Sequence, residues 1–126
     1  MAASDHLHHE QLRLFVQAKE LMDYPTYEGQ SAYHDGDPTT LRSNTNLQSR
    51  KLRNAKAGYE HYTHGSELPK GGKTLYQSIL EKGVEHPILL SYHKTLQADT
   101  IINGHHRIAA ANDINPEMYL PIRHER

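Results

Sequence analysis

The chain has 126 residues, a formal net charge of −1, eleven histidines, one phenylalanine, no tryptophan and no cysteine. The length suits one domain that folds without staples, and the lack of cysteine excludes disulfides, thiolate metal centres and any cysteine nucleophile. Hydrophobic residues make up 36% of the chain and no apolar run nears the roughly 20 residues of a membrane span, so a cytoplasmic protein with no membrane partner is expected.

Residues 5–22 carry Leu7, Leu14, Phe15, Ala18, Leu21 and Met22 on one stripe of period 3.6. That spacing predicts an amphipathic helix, with Ser4 as N-cap and Tyr24-Pro25 as its stop. His6, His8 and His9 in this stretch read as solvated, because His9-Glu10-x-x-Arg13 lacks the second histidine of a zinc-protease helix. From residue 23 to 46 periodicity disappears in favour of Gly, Asp, Pro, Thr, Ser and Asn, which predicts a long loop or extended arm.

Thr45-x-x-Gln48 reads as a capping box opening a helix that runs to Ala57 and stops at Gly58. Around it charge is strongly segregated. Residues 1–41 hold two basic and seven acidic side chains, whereas residues 42–58 hold five basic ones and no acid: Arg42, Arg50, Lys51, Arg53 and Lys56. Such a stretch can follow a nucleic-acid backbone, or form a solvated helix face paired with the acidic first third. Tyr59, His61, Tyr62 and His64 beyond it suit either base stacking or packing on a sheet.

Residues 66–73 are turn-forming. The Lys70-Gly71-Gly72-Lys73-Thr74 run resembles a Walker A loop but fails it, with Glu67 where the first glycine belongs and no strand before it. Thr74-x-x-Gln77 opens the clearest helix, with Leu75, Ile79 and Leu80 facing inward and Gly83 ending it. Strands follow at 87–92 and 98–102, then the Asn103-Gly104 turn, a short helix over 105–112, and a last strand at 118–122. The reading is an α+β domain: a small mixed sheet with flanking helices over 66–126, preceded by a mainly helical, loop-rich extension over 1–65, together one structural domain.

The sharpest chemical feature is the strand–turn–helix around Gly104. Glycine lets backbone N–H groups approach a ligand, and His105, His106 and Arg107 fall in the first helical turn, where the macrodipole favours an anion. Thr74 and Ser78, one turn apart, have Lys70 and Lys73 near them and could add donors for the same anion. His105 has the chemistry of a general base. No metal-ligand set emerges from the sequence.

In order and spacing, Ser78-Ile79, Gly83-Val84, Pro87-Ile88 and Gly104-His105-His106-Arg107 with Ala109-Ala110 resemble the core of the ParB/sulfiredoxin superfamily. The likeness covers roughly residues 68–123. It implies that Gly104, His106 and Arg107, with Thr74, Ser78 and Lys73, bind nucleotide phosphates, Mg²⁺ accompanying the nucleotide. His105 stands where sulfiredoxins place their cysteine, which excludes sulfiredoxin chemistry. The sequence stops at Arg126, so the helix-turn-helix of partition ParB proteins is not expected. Asn103 replaces the acid that precedes the glycine in the superfamily's small-molecule kinases. The pattern is similar to stand-alone "ParB-like nuclease" proteins of bacteriophages and mobile elements, and implies a protein that binds nucleotide or nucleic acid and acts on or regulates DNA in a bacterial host cytoplasm. Three activities stay open: a nuclease with His105 as base, a nucleotide-dependent phosphotransferase or NTPase, and a non-catalytic regulator.

Overall fold

A computed structural model describes residues 14–26, 33–34, 37–57 and 73–125. The expected helical stretch 5–13 with its histidines, and the residues at 58–72, lie outside the described residues.

A four-stranded sheet forms the base, in the order β1-β6-β4-β5. Strands β1 (Phe15–Gln17) and β6 (Tyr119–Glu125) run antiparallel, β6 and β4 (Ile88–His93) parallel, and β4 and β5 (Ala98–Asn103) antiparallel. A separate ladder pairs β2 (Tyr33–His34) with β3 (Asp37–Pro38). The helices are α1 (Ala18–Leu21), α2 (Thr45–Ala57), α3 (Leu75–Lys82) and α4 (His105–Ile114). The fold class is therefore α+β with a mixed sheet, and the α-β-β-α-β order from α3 to β6 matches the sequence reading. Among the described residues no helix is long and apolar enough to cross a membrane.

Helix α4 lies at the centre, packed against α1, α2, α3 and the start of β4. Its run Ala109-Ala110-Ala111 is buried, and small side chains let three helices approach its axis. Ile88, Leu90, Ile101, Leu120 and Ile122 fill the sheet face beneath the helices, following the period-2 alternation of strands. Phe15, Ile102 and Tyr119 stay exposed; the β1–β6 register puts Phe15 and Tyr119 on the opposite face, and Ile102 is the residue left unpaired where the β4–β5 register shifts.

Three local expectations are corrected. Residues 15–17 are a strand, not part of a helix: Phe15, Val16 and Gln17 pair with Pro121, Leu120 and Tyr119, and helix begins only at Ala18. There the Ala18 and Lys19 N–H groups donate to Met118 and Pro116 carbonyls, each at 2.8 Å. The sheet partner 100 residues away overrides the local periodicity. At α2 the cap is Asn44, whose Oδ1 accepts the Leu47 N–H at 3.1 Å, so Thr45 is the first helical residue and not the cap. The box at α3 forms as read: Thr74 Oγ1 accepts from Gln77 N–H and Gln77 Oε1 accepts from Thr74 N–H. Gly83, with φ of 75°, ends that helix, but of the three residues expected to face inward only Leu75 and Ile79 do: Leu80, next to Ile79 and so about 100° round the helix, is exposed.

Candidate phosphate site at the start of helix α4

Gly104 caps α4 with φ 110° and ψ 14°. A Cβ there would stand 2.6 Å from Ile88 Cδ1 and 3.3 Å from Ile88 Cα. Glycine is required twice over, by the left-handed backbone and by the press of the turn against the first residue of β4.

The three residues that follow are not on an open surface. His105, His106 and Arg107 are 5%, 6% and 7% exposed, because α4 is enclosed by the other helices and the sheet. The Arg107 guanidinium donates through Nη1 to the Pro87 carbonyl at 2.6 Å and, more weakly, to the His86 carbonyl at 3.3 Å. It thereby ties the first turn of α4 to the chain just before β4. His105 Nε2 shares a buried hydrogen bond with the Thr26 hydroxyl.

Thr26 was not visible as a site residue in the sequence. It belongs to the stretch that the sequence predicts as a loop or arm, and Pro25, Thr26 and Thr40 within it make sheet-like bridges. The Ile101 N–H donates to the Pro25 carbonyl and the Thr26 N–H to the Thr39 carbonyl, both at 2.9 Å. Bridges pair Thr26 with Ile101 in parallel and Pro25 with Thr40 in antiparallel fashion. The ends of the arm thus continue the sheet beyond β5 and carry Thr26 and Thr39, both buried, towards the α4 side. A Pro-Thr pair and a Thr-Thr pair, both compatible with edge strands, were the available signal.

The other residues proposed for the phosphates are elsewhere. The Tyr76 hydroxyl donates to Asp113 Oδ2 at 2.7 Å, so the start of α3 lies beside the end of α4. Residues 86–87, beyond the other end of α3, meet Arg107. The two helices are antiparallel, and Thr74 and Lys73 stand by the end of α4 remote from Gly104. Ser78, two residues after Tyr76, lies in the same half of α3. The Thr74 hydroxyl is engaged in its cap, and Lys73 pairs with Glu81.

The basic run is also divided. Arg42 donates to Asp23 at 2.7 Å and to the Lys19 carbonyl at 2.8 Å. Lys51 is buried between Leu47 and Ala55 on the inner stripe of α2. The Lys56 ammonium sits 5.0 Å from the Tyr76 ring centroid. Arg50 and Arg53 are exposed.

The carboxylates nearest the motif in sequence do not fit a Mg²⁺ site at the turn. Asp113 accepts from Tyr76, Glu117 pairs with Lys19 at 3.5 Å, and Asp99, at the far end of β5, lies 3.9 Å from His124 Nδ1. Among the described residues no group of three or more His, Asp or Glu side chains is placed to hold a metal.

Comparison with family models, curated proteins and solved structures gives no match for this chain.

Proposed function

We propose that this chain is a phosphate-binding domain of the ParB/sulfiredoxin kind, holding the phosphates of a nucleotide at the start of α4 and regulating or acting alongside DNA. The observation that carries the reading is the first turn of α4. Two imidazoles and a guanidinium, all buried, gather at the positive end of a ten-residue helix behind a left-handed glycine. The Arg107 charge opposes the macrodipole there, and a seated anion relieves that conflict. The succession α3, β4, β5, Gly-His-His-Arg, alanine-rich α4 and β6 supports the same reading.

A nucleotide suits the site better than a long nucleic-acid track. Lys51 is turned inward while Arg42 and Lys56 are engaged, which leaves Arg50 and Arg53 for a second, shallow contact with a backbone. The function proposed is binding, and no chemical step is assigned, because His105 Nε2 is engaged by Thr26. Titration of the full chain with CTP, ATP and pyrophosphate, by calorimetry and thermal melting, tests it. A saturable heat and a raised melting temperature with a triphosphate are expected. Absence of both with every ligand at millimolar concentration would sink the proposal, and release of phosphate with Mg²⁺ present would replace binding by hydrolysis.

A further inference from the structure

We infer that Thr39 is a ligand of the same site, its hydroxyl donating to a non-bridging oxygen of the bound phosphate; the inference rests on the phosphate-binding reading above. The argument begins with register. Pro25 faces Thr40, so Thr26 faces Thr39, and the Thr26 N–H donates to the Thr39 carbonyl at 2.9 Å. Residues facing one another across two strands project their side chains to the same side. Thr26 also pairs with Ile101, whose side chain is in the core beneath the helices, and its hydroxyl meets His105. The Thr39 side chain is therefore directed to the α4 side of the sheet, beside the His105–Thr26 pair and the start of the helix.

Thr39 is 5% exposed, and its Oγ1 makes no hydrogen bond in the described structure. Threonine hydroxyls rotate freely to suit a partner, and burying one with none is unfavourable. An oxyanion held at the start of α4 would supply the missing acceptor. Thr100 makes a natural control. Its hydroxyl is also buried without a partner, but strand alternation sends it to the face opposite Ile101, away from α4.

Phosphate oxygens of this kind occur in free nucleotides and in nucleic-acid backbones. The full chain and its Thr39→Val, Thr39→Ser and Thr100→Val variants are titrated with pyrophosphate, a nucleoside triphosphate and a short DNA duplex, and melted without ligand. Both valine variants should melt at or above the wild type, because each removes an orphan hydroxyl without changing shape. Thr39→Val should lose about tenfold in affinity, the worth of one charge-assisted hydrogen bond, while Thr39→Ser and Thr100→Val bind as the wild type does. Loss confined to the nucleotide arms identifies a nucleotide, and loss confined to the duplex a backbone phosphate. A Thr39→Val protein that binds all ligands normally overturns the role of Thr39 alone, as does one that loses affinity while melting below the wild type. Wild type that binds none of the three removes the phosphate site and Thr39 with it.

Discussion

His105 Nε2 and the Thr26 hydroxyl, 79 residues apart, share a buried hydrogen bond. It joins the first turn of the central helix to the arm laid along β5, two elements that no local sequence pattern connects. Either the hydroxyl or the ring N–H can donate, according to the imidazole tautomer, so the bond holds for both neutral forms. Thr26→Val keeps the shape and removes the partner. We expect it to destabilise the fold by about 1–2 kcal/mol, the usual loss when a buried polar atom is orphaned. Denaturant unfolding measures this. In a double-mutant cycle with His105→Ala the coupling should be about 1 kcal/mol, and strict additivity would mean that the two side chains do not interact in solution.

Gly104 offers a sharper test of the turn. Gly104→Ala must place a Cβ against Ile88 and hold an L residue at a φ of 110°, and the left-handed backbone alone costs about 1–2 kcal/mol. The predicted loss is at least about 2 kcal/mol once the packing conflict is added. Ile88→Val removes the Cδ1 atom that stands closest. The double variant should recover part of the loss but not all, because the backbone strain remains. Full recovery would show that φ contributes nothing, and no loss in the single variant would contradict the turn geometry.

What was legible in the sequence was what local chemistry decides. The Thr74–Gln77 box, the Gly83 stop, the hairpin of β4 and β5, and the glycine before α4 all rest on residues within a few positions of one another, and the structure has them. What depends on distant partners was not legible. Phe15 lies on a helical stripe in sequence, with Val16 and Gln17 inside the same predicted helix, yet β6 recruits all three as a strand. Pro25, Thr26 and Thr39 look like loop because their hydrogen bonds are made with one another and with Ile101. The position of Arg107 after the glycine suggests a grip for phosphate, whereas the carbonyls of residues 86 and 87 take up its Nη1. Charge alone groups Lys51 with its basic neighbours, although the stripe Leu47, Lys51, Ala55 at spacing four marks the face that α2 turns inward.

Tyr76 predicts a pH dependence at the other end of α4. Its hydroxyl donates to the Asp113 carboxylate, and that hydrogen bond, followed by burial and the negative charge, raises the phenol above its ordinary pKa. The folded chain thus holds the phenolic proton more tightly than the unfolded chain does. The stabilisation is complete below the ordinary phenol range near 10 and is lost as pH rises through the folded value. Tyr76→Phe keeps the ring beneath Lys56 and deletes only the hydroxyl. It should be less stable than wild type by roughly 0.5–1 kcal/mol at pH 8, with the gap closing as the pH climbs beyond about 10. Melting both proteins across that range decides, and a gap that widens with pH would contradict the arrangement.

The division of the basic run gives a prediction about nucleic acid. If all of Arg42, Arg50, Arg53 and Lys56 met phosphates, log K against log salt would fall with a slope of roughly −3 to −4 on duplex DNA. Arg42 instead pairs with Asp23, and Lys56 lies over Tyr76. Lys51, which faces inward, cannot contribute without unfolding α2. Arg50 and Arg53, three positions apart and hence neighbours on one helix face, can reach two phosphates. The expected slope is therefore about −2, and Arg50→Gln with Arg53→Gln should abolish retardation of DNA at low salt while leaving nucleotide titrations unchanged. Electrophoretic mobility measured over a series of salt concentrations provides the slope. A value near −4 would mean that Arg42 and Lys56 leave their partners to bind DNA, and retardation that survives the double substitution would place the contact on another surface.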